Sequence, residues 1–184
     1  MDDIVKQAMA KWPHVPDCYG WLGLDARGNW YMRDDRAQAH GGFASGRPGA
    51  KGSRLQHEKL IDFIQRNYAA DASGQWFFQN GPQRVYVELE ATPWIWRVAS
   101  NGTVQAHDGT PAKVERAVTD EAGWLYLEAD QGFGLVHTQD MMHAADMLES
   151  GQWLLLEVLR AQLPVRYGFV PSPQAQQQAN KKPA

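Results

Sequence analysis

Three residues able to hold a divalent metal stand close together in the last third of the chain, in the run His137-x-x-Asp140-x-x-His143. Imidazole and carboxylate donors at a strand end and on the following helix can converge on one ion, so the cluster carries the alternative reading, a small metal-dependent, hydrolase-like enzyme, against the expected one, polar residues at a capped helix start that hold no metal. Helical positions three and six apart spread their side chains over roughly 120°, and His137 falls before the cap. Completing a site therefore requires a fold that brings in the turn His107-Asp108. Elsewhere the signatures of catalysis are missing. There is no G-x-S-x-G elbow, no phosphate-binding GxxxxGK[ST] loop and no G-x-G-x-x-G between a strand and a helix. His57-Glu58 begins like a zincin, but position 61 is Ile where the second imidazole belongs. Cys18 sits among aromatics in a strand-like run, with no helix N-terminus to activate it, and reads as a buried structural thiol. Glu88 and Glu90 share one strand face, where glycosidase-like geometry is conceivable, but cross-strand pairing with Arg84 or Arg97 is the expected use. No cofactor motif is present, and no cofactor is expected.

The second kind of chemistry is recognition. Eight Trp accompany six Tyr and six Phe, so the bulkiest aromatic is the commonest. Each such ring buries about 150–250 Å² and dominates core energetics, and Trp, Tyr and Arg also dominate binding hot spots. In Gln83-Arg-Val-Tyr-Val-Glu-Leu-Glu90 the alternation sends Val85, Val87 and Leu89 to one face and Arg84, Tyr86 and Glu88 to the other. Together with Trp76, Phe78, Trp94, Trp96 and Arg97, the second face is the predicted binding surface. It suits a small ligand, a protein or a second copy of the chain, unless helices cover it. A non-catalytic binding module is the leading reading.

A third reading, single-stranded RNA binding, rests on residues 34–53, which hold five Gly and one large apolar residue, Phe43, among Arg33, Arg36, Arg47, Lys51 and Arg54. Such a segment has little to bury and is expected to be a flexible insertion. With a net charge of -3 and a pI near 6.0, the chain as a whole has no general attraction to phosphate backbones. Nucleic acid is therefore not the expected partner, and neither is a membrane. The lone Cys18 excludes an internal disulfide framework, no paired-Cys zinc pattern occurs, and no run of eighteen apolar residues is present. A cytoplasmic protein is expected.

The elements that must position these residues follow from periodicity. Residues 2–11 form a short helix that ends at Trp12-Pro13, and residues 18–25 a strand. Ser53-x-x-Gln56 matches a capping box for a helix over 55–68, with Leu60, Ile61, Ile64 and Tyr68 on its apolar face. Strands follow over 76–79, 83–90, 94–98, 103–106, 113–118, 124–129 and 133–137. Thr138 caps a helix over 139–149, and the Leu-rich run 153–163 reads as a second, mostly buried helix. The tail 171–184 has nothing to bury and is expected to be disordered. Asp25-x-x-Gly28, Asp71-x-x-Gly74 and Asp120-x-x-Gly123, each with Trp close behind, repeat one piece of turn chemistry. Asp accepts backbone hydrogen bonds, and Gly takes the positive φ that a bulge requires.

The class that emerges is α+β, an antiparallel twisted sheet meander packed against the central helix and a C-terminal helical segment. An N-terminal lobe over 1–92 and a C-terminal lobe over 93–170 are expected. The run Trp76-Phe-Phe-Gln-Asn-Gly-Pro-Gln-Arg-Val-Tyr-Val87, continued by Leu89-Glu90-x-Thr92-Pro93-Trp94-Ile95, resembles a family of small uncharacterised proteobacterial proteins from about Tyr19 to Pro173. Asp25-x-x-Gly28-x-Trp30 and Glu90-x-x-Pro93-Trp94 carry a more distant likeness to another bacterial family of unknown function built from α and β elements. The resemblance implies no mechanism, and residues 34–53 look like an insertion relative to it.

Overall fold

In the computed structural model, which describes residues 1–181, the chain groups into two units. Unit 1 comprises Met1–Asp25, Asn29–Glu90 and the chain from Phe169 on, and unit 2 comprises Ala26–Gly28 and Ala91–Gly168. The elements of unit 1 are α1 (Asp3–Lys11), β1 (Cys18–Leu24), β2 (Trp30–Met32), α2 (Asp35–His40), β3 (Ser53–Arg54), α3 (Glu58–Arg66), β4 (Tyr68–Ala70), β5 (Trp76–Asn80) and β6 (Gln83–Leu89). Unit 2 follows with β7 (Trp94–Val98), β8 (Val104–Ala106), β9 (Pro111–Ala112), β10 (Val114–Thr119), β11 (Leu125–Ala129), β12 (Gly132–Val136), α4 (Met141–Glu149), β13 (Leu155–Glu157) and α5 (Leu163–Tyr167). The last helix, α6 (Pro173–Lys181), returns to unit 1. This is an α+β protein. No helix among the described residues is long and apolar enough to cross a membrane.

The sheet of unit 1 runs β3-β2-β1-β6-β5-β4, and that of unit 2 runs β13-β10-β11-β12-β7-β8-β9. Most neighbours are antiparallel, but β1 with β6, β12 with β7 and β10 with β13 are parallel. The first of these places β6 in the middle of its sheet, and that decides its environment. Val85, Leu22 and Phe78 share one face, where they meet Leu60 and Ile64 of α3, and Phe63 stands edge-on to Phe78 with ring centroids 5.4 Å apart. The opposite face carries Arg84, Tyr86 and Glu88, as alternation predicts, but it is not open. Residues 41–52 and α6 lie over it.

That cover corrects the expectation of a flexible 34–53 segment. Asp34 caps α2 by accepting the Ala37 N–H at 2.8 Å. Phe43, only 2% exposed, fills the space above Gly23, where a Cβ would stand 2.5 Å from its ring. The buried Arg33 guanidinium donates to the carbonyls of Ala50 (2.8 Å), Gly20 (3.1 Å) and Gly41 (2.6 Å) and so ties the segment down from inside. Composition counts apolar residues but not the carbonyls that one buried cation can gather. Lys51 pairs with Glu90 at 2.7 Å, which further withdraws positive charge from the proposed RNA surface.

The tail is corrected in the same way. Glu88, 2% exposed, accepts the Ser172 hydroxyl at 2.5 Å and the Gln174 N–H at 2.9 Å, while Leu89 N–H donates to Pro171 O at 2.8 Å. Polar anchoring, rather than an apolar stripe, seats α6. Residues 182–184 of the expected disordered tail lie outside the described residues.

Two helices also differ from their expected bounds. Ser53 and Arg54 are drawn into β3 against Met32 and Tyr31, so the capping box is not used. The helix starts later, where His57 Nδ1 accepts the Leu60 N–H at 3.2 Å from an exposed position. Residues 155–157 are strand rather than helix, because they pair in parallel with Ala117, Val118 and Thr119. Tertiary pairing there overrides the helical preference of Leu.

The Asp-Gly turns form as expected. Asp71 Oδ1 accepts Ser73 and Gln75 N–H groups at 2.9 and 3.0 Å, and Asp120 Oδ1 accepts those of Ala122 and Trp124 at 3.0 and 2.9 Å. Asp25 Oδ1 accepts that of Asn29 at 2.8 Å. The copy at Asp71 closes a hairpin between β4 and β5.

Candidate functional site

The residues proposed for one aromatic and Arg face divide between the two units. In unit 1, Trp76 is half-buried against Tyr68, with ring centroids 4.7 Å apart, and Phe78 lies beneath α3. Arg84 covers the Phe77 ring at 4.7 Å. Tyr86 is buried, stacks on Tyr19 at 4.5 Å and donates its hydroxyl to Asp71 Oδ2 at 3.1 Å. Burial pushes its phenol pKa up to about 12, helped by Asp71 and opposed by Arg84. Burial likewise raises the Glu88 carboxyl, against the lowering effect of Ser172, Gln174 and Arg33. Phe78 is therefore sealed under α3, Glu88 under the α6 segment, and Tyr86 by its own neighbours, so these side chains do not make one open surface.

In unit 2 the indoles are also sealed. Trp94 and Trp96 stack with centroids 6.0 Å apart, Trp96 is 0% exposed, and its Nε1–H donates to Leu127 O at 3.0 Å. Their packing depends on Gly134, opposite Trp94 on β12. A Cβ there would stand 2.5 Å from Trp96 Nε1 and 2.6 Å from Trp94 O. Thr92 seals the same corner, donating to Trp94 O at 2.7 Å and accepting the Leu135 N–H at 2.8 Å. The Thr92-Pro93-Trp94 motif is thus explained by packing.

Arg97 is different. It follows Trp96 on β7 and points to the other face, its side chain 44% exposed. Its guanidinium is clamped side-on by Asp140, with Nε to Oδ2 at 2.6 Å and Nη2 to Oδ1 at 3.1 Å. Asp140 is 8% exposed and also accepts the Val98 N–H at 3.1 Å. Although burial works to raise its pKa, the hydrogen bonds from Arg97 and Val98 hold its carboxyl below the usual range. Arg97 is correspondingly raised, chiefly by its hydrogen bond to Asp140.

This pairing removes Asp140 from the predicted metal cluster. His137 caps the turn at Thr138–Asp140, its Nδ1 accepting the Gln139 N–H at 3.2 Å, and is buried. His143 Nδ1 lies 2.9 Å from Val98 O; a carbonyl only accepts, so Nδ1 carries the proton and donates. Among the described residues no group of three or more His, Cys, Asp or Glu side chains is placed to hold a metal ion. The three residues are each consumed in positioning the helix start against β7.

Around the clamp lies a cleft of about 430 Å³, within the range of about 300–1,000 Å³ typical of small-molecule sites, bounded by residues 97–99, 103–105, 111 and 140. Gln105 faces Arg97 directly across β7 and β8. Sequence reading did not single it out, for a definable reason. A two-residue Asn101-Gly102 turn would place Ala106 opposite Arg97. The loop observed has three residues, closed by Gly102 N–H to Ala99 O and Ala99 N–H to Thr103 O, both at 2.9 Å, with Gly102 at φ 80. Asn101 Oδ1 steadies it by accepting from Thr103 N–H at 3.1 Å and from its hydroxyl at 2.8 Å, and the register moves by one residue.

Unit 1 has a smaller groove of about 230 Å³ between α3 and its sheet, where Trp21, Met32, Leu60 and Phe78 meet Cys18. Cys18 is half-buried rather than fully buried, and burial raises its thiol pKa, disfavouring the thiolate. The groove offers apolar surface without convergent polar groups.

Residues 1–174 match the family DUF2944, described as a protein of unknown function (DUF2946). The chain belongs to the DUF2944 family. The match runs through residues 34–53, and the resemblance expected from the Trp76–Ile95 motif is to a family without an assigned activity. Two crystal structures of DUF1285 family proteins are similar to this DUF2944 protein. One, from Silicibacter pomeroyi DSS-3, has 14% identity and a TM-score of 0.48 over 73% of each chain. The other, from Shewanella baltica OS155, has 15% identity and a TM-score of 0.45, over 68% of this chain and 91% of that one. No curated protein matches the DUF2944 chain.

Proposed function

We propose that this DUF2944 protein is a non-catalytic ligand-binding module and that its ligand seats in the Arg97–Asp140 cleft of unit 2. One observation carries the reading: a partly exposed guanidinium held in a fixed orientation by a nearly buried carboxylate, at the wall of a cleft of ligand size. Fixing the side chain beforehand removes the rotamer entropy that an exposed Arg otherwise loses on binding. The same clamp argues for binding over catalysis. The carboxylate of the cleft is paired with a cation, so it does not stand ready as a general base. A reducing, cytoplasmic setting suits the free thiol of Cys18.

The test is backbone NMR of the labelled full chain against a fragment panel spanning neutral, anionic and cationic members. Binding should move the amides of Val98, Ala99, Thr103 and Gln105 together. Binders that move only residues of the α3 groove would place recognition in unit 1 and end this reading.

A further inference from the structure

The chemical class of that ligand can be read from which edge of Arg97 is left open, an inference that rests on the cleft being the binding site. A guanidinium has five N–H bonds. Asp140 takes Nε–H and one on Nη2, so both on Nη1 and the second on Nη2 remain, and this last N–H forms with one on Nη1 the end-on edge of the fork. That edge matches the two oxygens of a planar carboxylate in a bidentate arrangement. We propose that the Arg97 cleft binds a small monocarboxylic acid, its carboxylate end-on to Arg97 and its apolar body along Ala99 and Pro111.

Three features select this class. The exposed Gln105 amide stands opposite Arg97 in the β7–β8 pair, within reach of the same anion as a further donor. The cleft's charges are one guanidinium and one carboxylate, so a monoanion meets an orientated donor edge without a large net field, whereas a phosphate dianion adds a second negative charge beside Asp140. Ala99 and Pro111, both exposed, bring no charge to the wall, which suits a short aliphatic or aromatic body.

The experiment titrates the full-length protein with benzoate, its neutral isostere benzamide and inorganic phosphate, read by amide shifts and calorimetry at fixed ionic strength. Benzoate should move the cleft amides and bind at least tenfold more tightly than benzamide or phosphate. Arg97→Lys keeps the charge but loses the fork, and should weaken benzoate about tenfold, equivalent to about 1.4 kcal/mol. Gln105→Ala should weaken it by a smaller factor. Both replacements lie at partly or fully exposed side chains, so the fold should persist, as unchanged amide shifts in β10–β12 of unit 2 would show. Benzamide or phosphate binding the cleft as tightly as benzoate overturns the carboxylate assignment while leaving the cleft as a binding site. If none of the three moves a cleft amide at about 10 mM, where even weak fragment binding registers, the binding-site reading and the carboxylate proposal both fall.

Discussion

The cover over the Tyr86 and Glu88 face hinges on Phe43, and its removal is the sharpest test of the fold. Phe43 is 2% exposed and makes an edge contact to Tyr31 at 5.8 Å. Truncating a buried Phe costs about 3–5 kcal/mol. The turns at residues 41–52 can settle into part of the space, so Phe43→Ala should lie near the lower end, about 3 kcal/mol, or about 6–12 °C in Tm for a chain of this size. Gly23→Ala supplies the complementary perturbation. Its Cβ would stand 2.5 Å from Phe43 Cε2 and 2.7 Å from Cζ, an overpacking worth about 1–3 kcal/mol. Gly23 has no positive φ, so Ala brings no backbone strain of its own. In the Phe43→Ala background the same Gly23→Ala change should cost almost nothing, giving a coupling of about 1 kcal/mol or more in a double-mutant cycle. Urea unfolding of the full chain measures the cycle. Hydrogen exchange at the amides of Ala50 and Gly52, which donate to Arg47 O and Gly49 O, reports the segment directly. A loss below about 0.5 kcal/mol for Phe43→Ala, or an equal cost for Gly23→Ala in both backgrounds, would refute the packing and restore the flexible loop.

Two further outcomes follow from the buried charges and the Trp packing. Burial lifts the Glu88 carboxyl above 4.5 in the folded protein, so its ionised form is tolerated less well folded than unfolded. Its contribution is favourable at low pH and declines as pH rises from 4.5 through the folded value. Asp120 and Asp140 behave oppositely: held below 3.8, they contribute stability above 3.8 that is lost as pH falls through their folded values. Glu88→Gln keeps one acceptor oxygen, which can serve the Gln174 N–H while its amide N–H donates to the Ser172 hydroxyl, and should flatten the decline above pH 4.5 in urea unfolding curves; an unaltered profile would show that Glu88 is not buried as described. Gly134→Ala should destabilise unit 2 by about 1–3 kcal/mol and alter Trp fluorescence, because neither Trp94 O nor the sealed Trp96 ring can readily retreat. A neutral effect on thermal unfolding would contradict the β7–β12 register.

Much of the frame was legible in the chain. Alternation assigned Arg84, Tyr86 and Glu88 to one face correctly, since a pleat leaves no freedom in which side a residue takes. The Asp-x-x-Gly turns were legible for the same local reason, because a carboxylate and a residue of positive φ define the turn without reference to the rest of the molecule. What covers a face is not local. Residues 34–53 and 171–181 have the composition of solvated chain, yet one buried Arg33 gathers three carbonyls and one buried Glu88 gathers a hydroxyl and an N–H.

The candidate site shows the same limit. Arg97 and Asp140 were both recognised as chemically able residues, but they were assigned to rival functions, a recognition face and a metal cluster. Their separation of 43 positions hides the pairing, and the one-residue change in the Asn101 loop hides Gln105. Sequence by itself determined the α+β class, the alternation and the turns, because these depend on side-chain chemistry within a few residues. Tertiary structure alone decided which charges meet and which surfaces remain open, because long-range pairing selects partners by geometry that no local pattern encodes.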